Sequence, residues 1–305
     1  MNPIEKLYVI GNGFDLHHGI RSLYTDFKLY LEEKDNELIE ALEKYFIADY
    51  LWSDFEATLA DLDTEEIVDE CLMYFESYGV DDWSDAYHHS YQYEVQKRID
   101  ILTSKMKERF TEWIIQLEIP SVLDELVCLD REAYYINFNY TSTLQRLYKI
   151  PESRILHIHN KAVDLNSTLI LGHSRDPNEQ DNLSGYNDED TDVRIAEGNE
   201  ILDKYFEETY KSTNTIIKEN NSLFRNLANV REIFVLGHSL SLVDQPYFAE
   251  IVRNIDTTSV KWTISYYSSK AIGSYEAVMT KLGIDPMLIQ YKRIGEIGTM
   301  QLSIF

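Results

Sequence analysis

The sequence predicts an α/β protein: a three-layer, mostly parallel, Rossmann-like sheet with a large helical insertion after its first strand. Three observations predict it. A short apolar run, KLYVIG, ends in glycines near the start of the chain. Helical periodicity then continues from Leu23 to Leu117. Beyond it, strand-like apolar runs alternate with helix-like ones, the pattern of parallel strands joined by crossover helices. The core is therefore expected at 1–22 plus 120–305, and a helical insertion or cap at 23–119.

Each element follows from its residues. KLYVIG has the length and the β-branched and aromatic character of a buried strand, so the turn it enters lies at a strand's C-terminal end. The stretches YTDFKLYLEEKDNELIEALEKYF, WSDFEATLADLDTEEIVDECLMYFESY and SYQYEVQKRIDILTSKMKERFTEWIIQL carry helical spacing and an acidic, solvated face. AYYINF reads as a strand, TSTLQRLY as a helix, and RILHIHN and STLILGHS as strands. The polar segment RDPNEQDNLSGYNDEDTDV reads as a long loop or lid, rich in Asn, Asp, Gly and Pro. A helical stretch is expected from Ile195 to Leu227. REIFVLGHSL is then a strand, PYFAEIVRNI a helix, KWTISYYS a strand and SYEAVMTKLG a helix, with GTMQLSIF as an edge strand.

Composition narrows the classes of function. The 305 residues are 44% apolar, enough for a substantial core. Lys plus Arg number 28 against 53 for Asp plus Glu, a formal charge of −25, which repels phosphate backbones and anionic lipid. No direct binding to duplex DNA and no membrane partner are expected. Cys71 and Cys128 have neither metal nor redox spacing and read as reduced, buried thiols. No basic region followed by a long apolar segment opens the chain, and a cytoplasmic protein is expected.

In a parallel sheet, ligands sit outside the C-terminal strand ends. Polar groups recur at those expected ends: Gly11, Asn12, Gly13, Phe14 and Asp15 after the first strand, Asn137 to Thr141, His157 to Asn160, and Gly237 to Asp244, which includes Ser239. Gathered at one edge they form a concave polar site. Gly11 and Gly13 have no side chains to obstruct a pyrophosphate, although a plain tight turn explains GNG as well. Asn139 suits either a helix cap or a carboxamide that orients a ribose hydroxyl or a water. His157 and His159 lie two apart and face the same side if both are on the strand; one as a general base is the simpler reading, and no third residue has metal-ligand spacing. Asp15 either caps the FDLHHG turn or offsets positive charge on a ribosyl cation. Asp244 either caps the following helix or contacts a nucleoside hydroxyl. His17 and His18 suit packing as well as chemistry.

Other chemistries fit less well. Position 16 is Leu, so the dinucleotide fingerprint G-x-G-x-x-G is incomplete. GHSLS lacks the final Gly of a nucleophile elbow. No Walker loop and no HExxH is present. The 22 tyrosines are scattered through acidic helical sequence, which suits packing more than base stacking.

The order of LYVIGNGFDLHHGI, YTDF, YINFNYTSTLQRLY, ILHIHN, LILGHS and IFVLGHSLSLVD resembles the bacterial abortive-infection AbiH family, from about Lys6 to about Lys270. The combination is distinctive; the single tetrapeptides are not. In that family a Gly often follows the second histidine, whereas here it is Asn160, the commonest replacement for Gly at positive φ. AbiH proteins in turn look remotely similar to sirtuin-like domains. That resemblance implies an anti-phage effector with a pocket for a nucleotide, NAD as substrate, and cleavage of its nicotinamide–ribose bond. Gly11 and Gly13 match the glycine-rich first loop, Asn139 the strand-end Asn, and His157 or His159 the catalytic histidine region. By this likeness Asn139 fixes ribose or water, His159 or His157 accepts a proton and Asp15 offsets the ribosyl charge, while Thr141, Gly237, Ser239 and Asp244 join Gly11 to Phe14 around the nucleotide. GNG replaces the sirtuin GAG and the four-cysteine zinc site is absent, so no metal and no deacetylase are expected. A phage-derived trigger and a homo-oligomer are further implications. The alternative is a nucleotide-sensing or protein-interaction module without turnover.

Overall fold

Leu7 and Val9 point to one face of the first strand, Tyr8 and Ile10 to the other, and all four are buried. A strand apolar on both faces belongs at the centre of a covered parallel sheet, and that is its position in the computed structural model, which describes residues 4–75, 89–121, 125–179, 182–188 and 191–301. Strands β1 (Lys6–Ile10), β2 (Tyr134–Asn137), β3 (Ile155–His157), β4 (Glu232–Leu236), β5 (Lys261–Ser265) and β6 (Ile289–Lys292) form one six-stranded sheet. Their spatial order is β3-β2-β1-β4-β5-β6, every pair parallel. This is the doubly wound order, with its reversal between β1 and β4. The expected α/β, Rossmann-like class is therefore observed, with helices flanking the sheet.

The chain divides into two compact units, one of 1–23, 111–170 and 213–305 and the other of 24–110 and 171–212. The first holds the sheet. On one face Leu7, Val9, Ile136, Ile233, Val235, Trp262 and Ile264 pack with Phe248 and Ile251 of the helix Gln245–Arg253. On the other, Tyr8, Ile10, Tyr135 and Leu236 pack with Phe14, Leu144 and Tyr148. Tyr8 stacks between Tyr135 at 4.9 Å and Phe234 at 4.8 Å, a cross-strand aromatic ladder that accounts for part of the tyrosine content.

The second unit is built mainly of helices, among them Tyr24–Lys34, Asn36–Tyr45, Thr64–Cys71, Ser90–Asp100 and Val193–Glu208. Its boundaries differ from the sequence expectation at 171–212, a stretch expected in the core. The reason is local. Gly198 lies so close to Tyr91 that an added Cβ would stand 2.5 Å from the ring, and Gln92 Nε2 donates to Glu197 at 2.7 Å, which fastens Val193–Glu208 to Ser90–Asp100. Lys211 is wholly buried in the same unit, ion-paired with Glu56, which also accepts from Tyr24 at 2.7 Å.

Several elements depart from expectation. STLILGHS is not a strand: Ile170 N–H bonds to His159 O, while His173 makes only an isolated bridge with Tyr210. That bridge, through His173 N to Thr209 O and Lys211 N to His173 O, interrupts the expected Ile195–Leu227 helix after Glu208, and Thr213–Glu219 and Asn221–Arg225 follow as separate helices. β3 stops at His157. β6 and the short strand Glu125–Val127 were not expected, and Thr299–Gln301 pairs antiparallel with the latter instead of edging the main sheet. Part of the expected YFESY helix end lies outside the described residues, as do 180–181 and 189–190 of the long loop and 302–305 of GTMQLSIF. Cys71 is buried, which pushes its thiol up to about 11, but Cys128 is exposed, contrary to expectation. Among the described residues no helix is long and apolar enough to cross a membrane.

Candidate functional site

The loops after β1, β2, β3 and β4 converge at the C-terminal edge of the sheet, beside the β1/β4 reversal. Two hydrogen-bonded groups stand there, and they meet at Gly11.

The first surrounds Asp15, in the short helix Asn12–His17. Its carboxylate is fully buried and accepts from Thr141 Oγ1 at 2.6 Å and Thr143 Oγ1 at 2.7 Å. Burial without a cation raises its pKa to about 6, and hydrogen bonds from Thr141, Thr143 and Asn139 limit the rise. Asn139 sits just past β2 and donates through Nδ2 to Gly11 O at 3.2 Å, while its own N–H bonds to Asn137 Oδ1 at 3.1 Å. Its carboxamide thus pins the β1 loop.

The backbone of GNG is bonded within the protein. Gly11 N–H donates to Leu236 O at 2.9 Å and Gly13 N–H to Gly237 O at 2.7 Å. These amides are committed to the β4 loop. A Cβ on Gly11 would stand 2.6 Å from His238 Cα, and one on Gly237 would stand 2.0 Å from Phe14 N. Gly237 also has φ +67°, open to glycine at no steric cost. The three glycines let two loops of backbone touch across the reversal. Asn12 exchanges hydrogen bonds with Ser22, to its O at 2.8 Å and from its Oγ at 2.5 Å, and holds the loop there; Phe14 is buried in the core.

The second group surrounds Asp244. Asp244 closes the 3-10 turn Leu242–Asp244, which runs straight into the helix Gln245–Arg253, and its side chain makes no bond to the first amides of that helix. The carboxylate turns the other way: Oδ1 stands 3.7 Å from His159 Nε2, and Oδ2 stands 3.5 Å from His238 Nε2 and accepts from Ser241 Oγ at 3.0 Å. Both rings are almost wholly buried and meet Phe138 edge-on, His238 at 4.4 Å and His159 at 5.3 Å between ring centres. Buried Leu240 at φ +56° is the strained residue that bends the β4 loop around them. Ser239, in the same loop, is exposed.

His157 and His159 do not share a side. The strand ends at His157, and a turn through Asn160 at φ +65° carries His159 to the cluster of Phe138 and Tyr247. The positive φ at Asn160 is the conformation its sequence position suggested. His157 stays on the opposite face, donating through Nδ1 to Asn139 O at 3.2 Å and accepting at Nε2 from Gln145 at 2.8 Å. Burial lowers its pKa to about 4, so it is neutral at pH 7. His18 is likewise a packing residue, bonded to Phe14 O and Tyr148 OH and lowered to about 4 by burial.

Sequence reasoning missed two residues here. His238 was visible only as part of the GHS loop. Tyr267, just past β5 and 98% exposed, carried no signal beyond the strand end before it. Among the described residues no three His, Cys, Asp or Glu side chains are arranged to hold a metal ion. A cleft of about 530 Å³ opens at the other, N-terminal edge, where Lys6, Arg231 and Lys261 alternate with Glu5, Glu232 and Asp256, so no charge excess selects a ligand.

Comparison with known proteins adds one finding. The family model described as bacteriophage abortive infection AbiH matches residues 7–266. No curated protein matches the chain, and no solved structure does.

Proposed function

The chain belongs to the bacteriophage abortive infection AbiH family, which gives it a role in phage abortive infection, and we propose that in this role it binds a nucleotide at the C-terminal strand edge and hydrolyses NAD. The observation that carries the reading is the His159–Asp244 pair, a buried imidazole beside a carboxylate.

The chemistry is a displacement at the ribosyl carbon. A water oxygen attacks C1′, the bond to nicotinamide breaks with its electron pair returning to the ring nitrogen, and His159 takes the proton from the water. The buried Asp15 carboxylate lowers the energy of the ribosyl cation. Asn139 and Thr141 hold that carboxylate and the β1 loop in place, and exposed Tyr267 offers a face on which a ring of the nucleotide stacks. Nicotinamide release by the purified chain, with and without infected-cell extract as trigger, tests the reading. Its loss in a folded His159→Gln variant is the expected result.

A second reading has its own observation. The amides of Gly11 and Gly13 and the carboxamide of Asn139 are all bonded within the protein, which suits a module that senses a nucleotide or engages a phage-derived partner without turnover. Nucleotide binding with no product, unaltered by His159→Gln, favours this second reading.

A further inference from the structure

We infer that His238 is a positioning residue: it fixes the Asp244 carboxylate and moderates the charge that carboxylate presents to His159. Leu240 N–H donates to His238 Nδ1 at 2.9 Å, so Nδ1 is an acceptor and the proton of the neutral ring resides on Nε2. That Nε2–H faces Asp244 Oδ2 at 3.5 Å. Ser241 Oγ donates to the same oxygen, which leaves Oδ1 directed at His159.

The backbone around His238 serves this arrangement. Two residues of positive φ, Gly237 and Leu240, bracket it. For a buried leucine that conformation is strained, and the strain delivers the amide that sets the tautomer. The ring is further locked against Phe138 at 4.4 Å and Phe248 at 5.1 Å. A rigid donor on one oxygen of a carboxylate draws charge toward itself and away from whatever the other oxygen faces. Among the described residues, titratable groups packed against His159 include Asp244 and Tyr247 from the segment after β4 and Tyr140 from the segment after β2. Of these, Asp244 is the one carboxylic acid, and His238 is its moderator.

For its catalytic meaning the inference rests on His159 as proton acceptor, but its test needs no turnover. In His238→Phe the ring packing is kept and both nitrogens are lost, while Ser241 still holds Asp244. NMR titration of selectively labelled histidines should then move the His159 midpoint up by about one pH unit, a tenfold gain in proton affinity. Ser241→Ala should move it the same way. An unchanged or lowered midpoint in a folded variant overturns the inference. The wild-type protein offers a check that depends on no variant. Nitrogen shifts of His238 should report Nδ1 as the unprotonated and Nε2 as the protonated nitrogen, and the reverse assignment also overturns it. Failure of NAD cleavage with these NMR results intact would count against the reaction and leave the positioning role standing.

Discussion

His159 Nε2 stands 3.7 Å from Asp244 Oδ1, although the two lie 85 positions apart in sequence. The pair brings the turn after β3 to the turn after β4, across the ends of β2 and β1. Its surroundings lead to predictions about stability as well as chemistry.

Gly237→Ala should destabilise the protein by at least about 2 kcal/mol. The new Cβ would stand 2.0 Å from Phe14 N at a φ of +67°. Gly273→Ala, where nothing lies within 4 Å and the residue is helical, should be neutral or stabilising by up to about 1 kcal/mol. Paired thermal melts check both. Equal losses would remove the packing explanation for the glycine.

Asp15 should make stability fall as pH rises. Its folded pKa, about 6, lies above the 3.8 of an ordinary aspartate. The folded state therefore holds the proton more tightly, and the stability present below pH 4 is lost as pH rises through 6. The loss is about 3 kcal/mol. Asp15→Asn should lack it, so the stability of the variant relative to wild type should improve by that order between pH 4 and 7 in urea titrations. A constant difference across the range would contradict this.

His157 should act in the opposite sense. Its pKa is lowered from 6.5 to about 4. The unfolded chain takes up the proton first, so stability is lost as pH falls from 6.5 toward 4, by about 3 kcal/mol. In His157→Gln that acid-linked part should disappear. Urea titrations of the variant against wild type at pH 4, 5, 6 and 7 measure it.

Asn139→Ala should cost about 1–3 kcal/mol, because Gly11 O loses a buried partner and Asp15 loses a donor. Loss of activity in this variant therefore counts as catalytic only if its circular dichroism and melting curve show a folded population at the assay temperature.

Much of the sheet was legible in the sequence because its central strands are buried on both faces. Runs such as LYVI and IFVL leave little choice, and each ends in a Gly or Asn that announces the turn. β6, IQYK, was not legible, since a four-residue edge strand alternates polar and apolar residues without a buried run. STLILG misled for the converse reason. Leu169 and Leu171 are buried and Ile170 partly so, but its hydrogen bonds go to single carbonyls on scattered segments. At the site, the gathering of Asp15, Asn139, His159 and Asp244 followed from strand ends alone. The separation of His157 from His159 did not, because a single turn reverses the side-chain parity that spacing assumes. GNG was open to two explanations, and the contacts at Gly11 and Gly13 come from a loop more than 200 residues away.

The most direct test of the account is nicotinamide release. Purified wild-type and His159→Gln protein would be incubated with NAD, with and without extract of phage-infected cells, and all products followed by chromatography and mass spectrometry. The account predicts nicotinamide and ADP-ribose from wild type and intact NAD from the folded variant. Intact NAD in every sample, trigger included, would contradict it.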